Sequence, residues 1–136
     1  MPSKMIKTGE GLVTSDLCDQ MGHFTTRCYT AAFDEASYEL VKNCGLPLDE
    51  RNGFVDLELN MKFLAEIREG DRFYIKSAFI KLGNSSFTAI HHMHNTADDR
   101  LVAEAEEKAV VFDLEKRKSK SMPEDFKKRA GEFLVD

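Results

Sequence analysis

The sequence predicts an α+β fold, a single long helix packed on an antiparallel sheet, and three observations carry that expectation. Tyr29, Phe33, Ala36, Leu40 and Cys44 recur at spacings of three or four residues, which is one face of a helix, and Val41 widens the stripe. From Gly53 onward the apolar period drops to two, the signature of half-buried strands. Short segments rich in Gly, Asn and Asp separate those alternating runs, which favours antiparallel neighbours.

In chain order, residues 1–9 read as an irregular start, with Gly9 and Gly11 as punctuation and a short first strand at Leu12, Val13 and Thr14. The helix starts at Thr25 or Thr26, either of which can cap it through a side-chain oxygen. It stops at Gly45-Leu46-Pro47, because Gly accepts the left-handed conformation and Pro cannot continue a helix. Val55, Leu57, Leu59, Met61 and Phe63 then alternate with Asp56, Glu58, Asn60 and Lys62. After Glu69-Gly70-Asp71 a second run alternates through Phe73, Ile75, Ser77 and Phe79, and Gly83 to Ser86 turns the chain again. Phe87 to His94 and Leu101 to Phe112 complete four strands in expected meander order, joined at Ala97 to Arg100. Ala103, Ala105 and Ala109 share a strand face, where small side chains let the helix approach closely. Pro123 to Leu134 reads as a short terminal helix with Pro at its first position.

A chain of 136 residues, 42% apolar, is one domain, 1–136, able to bury a core without disulfides. Its net charge of -5 argues against a nucleic-acid binder working through overall charge. No run of about 20 apolar residues suggests a membrane span, and no leader pattern opens the chain. Cys18, Cys28 and Cys44 form no metal-type pair, so the expected setting is reducing and cytoplasmic.

The chemistry concentrates just before the helix, in Asp19-Gln20-Met21-Gly22-His23. A helix N-terminus offers unpaired N–H groups and partial positive charge. A carboxylate and an imidazole beside it suit a carbonyl whose oxygen gains charge, as in acyl transfer. Asp19, ionised at neutral pH, is the leading catalytic candidate, against a plain reading as a turn aspartate capping local backbone. Gly22 permits a tight turn. His23 orients substrate or Asp19, or pins the loop by hydrogen bonding. Asp34 and Glu35 read as an exposed pair on the polar helix face, and Glu58 is a weaker candidate. Cys18 with His23 as base is a remote nucleophile reading, since free cysteines commonly pack as small hydrophobes. His92 and His94 share a strand face while His91 points away, so no metal is expected, and the segment reads as an exposed strand or a subunit contact.

Asp-x-x-Gly-His entering a helix that continues Tyr29-x-x-x-Phe33-x-Glu35-Ala36 resembles the hotdog-fold acyl-CoA thioesterases of the 4-hydroxybenzoyl-CoA thioesterase type. Phe63-Leu64-x-x-Ile67-Arg68-x-Gly70-Asp71 and Ala103-Glu104-Ala105-Glu106 resemble later strands of that family, so the likeness runs from Gly11 to Ala130. It implies a sheet wrapped round a central helix, hydrolysis of an acyl-CoA to the free acid and coenzyme A, and no cofactor beyond the coenzyme A of the substrate. It implies Asp19 as nucleophile or general base, and the Thr26 backbone N–H as the oxyanion donor. Asp34, eight residues beyond Thr26, matches the helix carboxylate of a second branch and is the runner-up. The family usually follows the histidine with one or two asparagines, where Thr25 and Thr26 stand here. Lys116-Arg117-Lys118, in the only basic run, would hold the phosphates of coenzyme A, or form a solvated loop. The resemblance further implies a homodimer or homotetramer with sites at the subunit interface. The acyl group expected is betainyl-like, from the Phe33-Asp34-Glu35-Ala36 likeness to the carnitine-breakdown branch, or medium or aromatic. Two rivals remain: a non-catalytic acyl-CoA-binding module, and a hydroxyacyl-thioester dehydratase that would need His23.

Overall fold

A computed structural model describes residues 4–135. The order is β1 (Ile6–Leu12), a single 3-10 turn (Ser15–Leu17), α1 (Thr26–Asn43), β2 (Asn52–Phe63), β3 (Arg72–Leu82), β4 (Ser86–Asn95), β5 (Leu101–Asp113), β6 (Lys118–Ser119) and α2 (Glu124–Gly131). All pairings between strands are antiparallel, in the order β1-β3-β4-β5-β2, with β6 added to the end of β5. The sheet wraps α1, which is the expected hotdog arrangement.

The helix follows the sequence reading closely. Tyr29, Phe33, Ala36, Leu40, Val41 and Cys44 are buried, and Gly45 ends the helix at φ 78°, in the region that favours glycine. The Thr25 side chain does not cap it. Thr25 Oγ1 turns to Cys28 Sγ at 3.1 Å, while its carbonyl accepts the amides of Cys28 and Tyr29.

The first strand lies earlier than expected, over part of the stretch read as irregular, whose residues 1–3 fall outside the described residues. The glycines there serve packing: a Cβ on Gly11 would stand 2.6 Å from Phe73 Cζ. A register shift between Lys7 and Gly9 turns Thr8 inward, to 6% exposure. The four later strands are not a simple meander. β3, β4 and β5 are, but β2 pairs with β5 and forms an edge, so Leu64 to Asp71 crosses the open end of the sheet. That crossing packs against the loop before α1, where Phe24 N donates to Ile67 O and His23 pairs with Arg68.

β2 also departs from simple alternation. Its register slips between Asp56 and Glu58, leaving Leu57 as an extra residue. Phe54 packs against the ring of Phe87 on one side of the slip, while Met61 and Phe63 meet α1 on the other, at Thr30 and Tyr29. Parity therefore flips at Leu57, and Asp56 turns to the helix side. At the C-terminus, Pro123 stands one residue before α2 rather than at its first position.

Two apolar clusters fill the space under α1. One gathers Phe24, Tyr29, Phe33, Ile75, Met93 and Ala105; the other gathers Leu40, Phe79, Phe87, Ala109, Val111 and Phe126. Between them runs a buried polar row, Thr8, Ser77, His91 and Glu107, one residue from each of four adjacent strands.

Candidate functional site

The loop before α1 is built around Asp19. Its Oδ1 accepts the backbone N–H of Met21 at 2.9 Å and of His23 at 3.2 Å, and its own N–H and C=O bond to His23 O and Gly22 N. Gly22 sits at φ 78° with open space where a Cβ would be, so the backbone conformation alone calls for glycine. His23 Nε2 bonds to Glu66 Oε1 on the crossing segment, and this contact, first of all causes, lowers the Glu66 carboxyl pKa. His23 thus ties the loop to the crossover, which is the pinning role weighed above.

The loop delivers the chain to α1 with two free donors. Thr25 N is taken by Leu17 O at 3.1 Å, but among the described residues the N–H groups of Thr26 and Arg27 have no hydrogen-bond partner. With no side-chain cap over them, they present paired donors and the helix dipole to an incoming carbonyl.

From that end an open pocket of about 320 Å³ runs along α1 between the helix and β2. Arg27, Thr30, Ala31, Asp34 and Ser37 line it from the helix, Asp56 and Leu59 from β2, and Glu107 from β5. Asp34 is therefore in the pocket, while Asp19, His23 and Gly22 stand in the loop at its mouth end and do not line it. A larger groove, about 460 Å³, lies on the outer sheet face among Glu58, Lys81, Glu106 and Lys108. It holds none of the leading candidates and reads as a solvated face.

The polar row forms the floor beside this pocket. Thr8 Oγ1 and Ser77 Oγ are 2.7 Å apart, Ser77 Oγ and His91 Nδ1 2.6 Å, and His91 Nε2 and Glu107 Oε1 2.8 Å. Burial pushes His91 down to about 4, so its imidazole is neutral at pH 7. Proton counting then has Nε2–H donate to Glu107 and Nδ1 accept from Ser77. Burial raises Glu107 as well, and raises Asp56 to about 8 with help from the Glu107 carboxyl beside it. Asp56 and Glu107 behave as a pair holding a proton at neutral pH.

His91 is thus wholly buried in a central strand, which corrects the expectation of an exposed strand or subunit contact. His92 instead bonds Glu104 at 2.9 Å on the outer face, and the described residues hold no metal-type cluster. Asp56 and Glu107 are absent from the sequence candidates, and His91 enters there only as a dismissed metal ligand. The signal existed: Glu107 shares parity with Ala103, Ala105 and Ala109, and His91 with Phe87, Ala89 and Met93. Cys18 donates to Thr14 O at 3.5 Å, and desolvation, then nearby Glu69 and Asp19, raises its thiol pKa, against a thiolate nucleophile.

The basic run sits elsewhere. Lys116 and Arg117 are exposed in the turn between β5 and β6, and Lys118, also exposed, opens β6 opposite Asp113, whose other neighbour is Asn52, the first residue of β2. The start of α1 lies near Phe63, the last residue of β2, about 36 Å away at strand rise.

The sequence profile of the thioesterase-like superfamily matches residues 12–130. The chain belongs to that superfamily. Solved structures agree in fold. A hypothetical protein of Staphylococcus aureus in complex with CoA superposes with TM-score 0.88 at 20% identity, covering 100% of this chain and 89% of that one. A 1,4-dihydroxy-2-naphthoyl-CoA thioesterase from Synechocystis gives 0.78 at 17% identity, covering 90% and 93%. A gentisyl-coenzyme A thioesterase gives 0.79 at 22% identity, covering 90% and 98%. No helix among the described residues is long and apolar enough to cross a membrane.

Proposed function

We propose that this superfamily member is an acyl-CoA thioesterase, hydrolysing an acyl-CoA to the free acid and coenzyme A in the cytoplasm. The observation that carries the reading is the uncapped first turn of α1, with the Thr26 and Arg27 amides free at the mouth of a pocket of acyl size. The thioester oxygen sits at the Thr26 N–H, where growing negative charge is stabilised; losing a donor of this kind costs about 3 kcal/mol in other enzymes. The acyl group runs along α1, and Asp19, through the Oδ2 not used in the loop, attacks the carbonyl or takes a proton from water. Gly22 and Thr25 shape the entry, and His23, through Glu66, keeps Asp19 in place. Asp34 is the alternative carboxylate. Its support is that it lines the pocket where Asp19 does not.

The working unit in this reading is a homodimer, itself able to pair into a tetramer. β2 is an edge strand with Val55, Leu57, Leu59 and Phe63 exposed, an apolar edge that pairing would cover. Antiparallel pairing of two β2 strands about a twofold axis sets the Asn52 end of one against the Phe63 end of the other. Lys116, Arg117 and Lys118 of one copy then approach the Thr26 amide of its partner, which suits them to coenzyme A phosphates in trans. The acyl group itself is betainyl-like, medium or aromatic in the resemblance, and no residue described so far chooses among these.

A second reading, a binding module without turnover, is favoured by the use of Asp19 Oδ1 as a loop staple. Release of free thiol from betainyl-, octanoyl- and benzoyl-CoA separates the two. Turnover supports hydrolysis, whereas a CoA ester that raises the melting temperature without turnover supports the binding module.

A further inference from the structure

Tyr38 is a large aromatic side chain left 48% exposed on α1, with its ring 5.0 Å from that of Phe54 on β2. The two rings line a second pocket of about 310 Å³ between α1 and β2, together with Leu48, Asn52, Gly53 and Leu114. The acyl pocket and this one lie in a single groove between helix and strand, the first toward Thr26 and the second toward Asn43. The groove is open along its outer side, because β2 is the edge of the sheet.

The bulge at Leu57 decides how a second copy closes it. The inward residues of β2 are Phe54 and Asp56 before the bulge, and Leu59, Met61 and Phe63 after it. Leu57 and Glu58 together take one place in the ladder, so the bulge is the midpoint of the strand Asn52–Phe63. Full antiparallel pairing about a twofold axis through the bulge opposes Phe54 to Met61, Asp56 to Leu59 and Asn52 to Phe63. Every inward residue then meets an inward one. The helix leads to the same arrangement independently. Asp34 faces the middle of β2, lining the acyl pocket with Asp56 and Leu59 from either side of the bulge. With the axis there, Thr30, four residues before Asp34, is set against Tyr38 of the partner subunit, four residues after it. Thr30 itself touches Met61, its hydroxyl 3.7 Å from the sulfur. Strand and helix therefore bring the partner's Tyr38 and the partner's Phe54 to one place, the Thr30 and Met61 side of the acyl pocket.

We infer that the acyl pocket is completed by the second subunit, whose Tyr38 and Phe54 form its outer wall and select an aromatic acyl group. This rests on the thioesterase reading and its β2-paired dimer. Thr30 stands four residues beyond Thr26, about 6 Å of helix rise, which is the reach of one ring bonded to a carbonyl held at the Thr26 amide. Such a ring meets the partner's rings edge to face or offset, the arrangements that aromatic groups favour. A long methylene chain would run on toward Asp34, Ser37, Asp56 and Glu107, desolvating polar groups with no bond in return. A quaternary ammonium beside the carbonyl would meet Arg27, which lines that end and forms no ion pair among the described residues.

The first test needs no substrate. Val55 and Asn60 are exposed on the outer face and oppose each other across the twofold axis. Within one chain they lie about 16 Å apart at strand rise, too far for a disulfide. Oxidised Val55→Cys/Asn60→Cys should run as a covalent dimer on a non-reducing gel, with both single variants monomeric. A double variant that stays monomeric would overturn the register and the inference with it. The second test is thiol release from betainyl-, octanoyl- and benzoyl-CoA. Benzoyl-CoA should be used best, and Tyr38→Ala should lower its kcat/KM about tenfold or more, mainly through KM, while Tyr38→Phe retains it. In a mixed dimer of Asp19→Asn and Tyr38→Ala, an outer wall supplied in trans puts both defects into one site and leaves the other intact. An equal mixture refolded together should then regain about a quarter of wild-type turnover. Turnover no higher than the mean of the two parents, an unchanged Tyr38→Ala, or preference for octanoyl- or betainyl-CoA would overturn the inference. If no ester is hydrolysed, the thioesterase reading has failed, and calorimetry with benzoyl-CoA decides. Binding that weakens in Tyr38→Ala and returns in Tyr38→Phe sustains the aromatic wall; equal binding removes it.

Discussion

Asp56 offers a stability test that needs no substrate. Its carboxyl is raised from 3.8 to about 8, first by desolvation and then by Glu107 beside it. The folded protein therefore binds more protons than the unfolded chain throughout that window, and stability falls as pH rises through it. Unscreened, each pH unit below the folded pKa is worth about 1.4 kcal/mol. Asp56 is exposed on an edge strand, so solvent screening reduces this, and we expect about 1–2 kcal/mol lost in total between pH 6.5 and 8.5. His91 has the opposite sign: lowered from 6.5 to about 4, it costs stability only as pH falls below 6.5. Above that pH it is largely neutral in both states, which isolates the carboxyl pair. Asp56→Asn removes the ionisation at position 56 at every pH and leaves Glu107 as the single carboxyl of the pair. Thermal melts followed by circular dichroism, at one protein concentration because an edge pairing would make melting concentration-dependent, should show the variant gaining on wild type as pH rises. For a chain of this size the gain is about 3–8 °C between pH 6.5 and 8.5. A difference between the two proteins that stays constant over that range would refute the shared-proton account of the pair.

Phe33→Ala should cost about 3–5 kcal/mol in urea unfolding, because Phe33 is 1% exposed and spans the helix and the row at His91. Gly22→Ala should destabilise by about 1–2 kcal/mol through its φ of 78°, and should lower thioester turnover more than stability alone explains, as read by kcat/KM beside the melting curve. Leu57→Arg, at the extra residue of β2, should shift the chain toward monomer in sedimentation and reduce turnover together. Lys116→Glu with Lys118→Glu should raise KM for CoA esters and leave the unfolding transition in place; unchanged KM would return the run to a solvated turn.

The helix was legible because a single periodicity covered it and ended at Gly45. The four long strands were legible for the same reason, but the two-residue β6 and the pairing were not. Nothing local distinguishes a β2 that pairs with β3 from one that crosses to β5, since only the long ladder from Asn52–Asp113 to Phe63–Ala103 decides it. The inward turn of Asp56 was hidden by the bulge at Leu57, beyond which the apparent alternation continues on the other face. Thr8 was hidden in the same way, within a glycine-rich strand that has no apolar pattern of its own. Glu107 could have been found, as an acidic residue in register with three alanines. The site loop was readable in chemistry but not in hydrogen bonding: the sequence places Asp19 near the helix start, and only the structure shows its Oδ1 already engaged.

The central claim is that Asp19 and the Thr26 amide perform thioester hydrolysis, and the direct test is thiol release by wild type, Asp19→Asn and Asp34→Asn on the best ester of the panel. We predict that Asp19→Asn lowers kcat by about a thousandfold or more while its melting temperature stays close to wild type, and that Asp34→Asn acts mainly on KM. Full activity in Asp19→Asn together with collapse in Asp34→Asn would contradict the account and move the chemistry into the pocket.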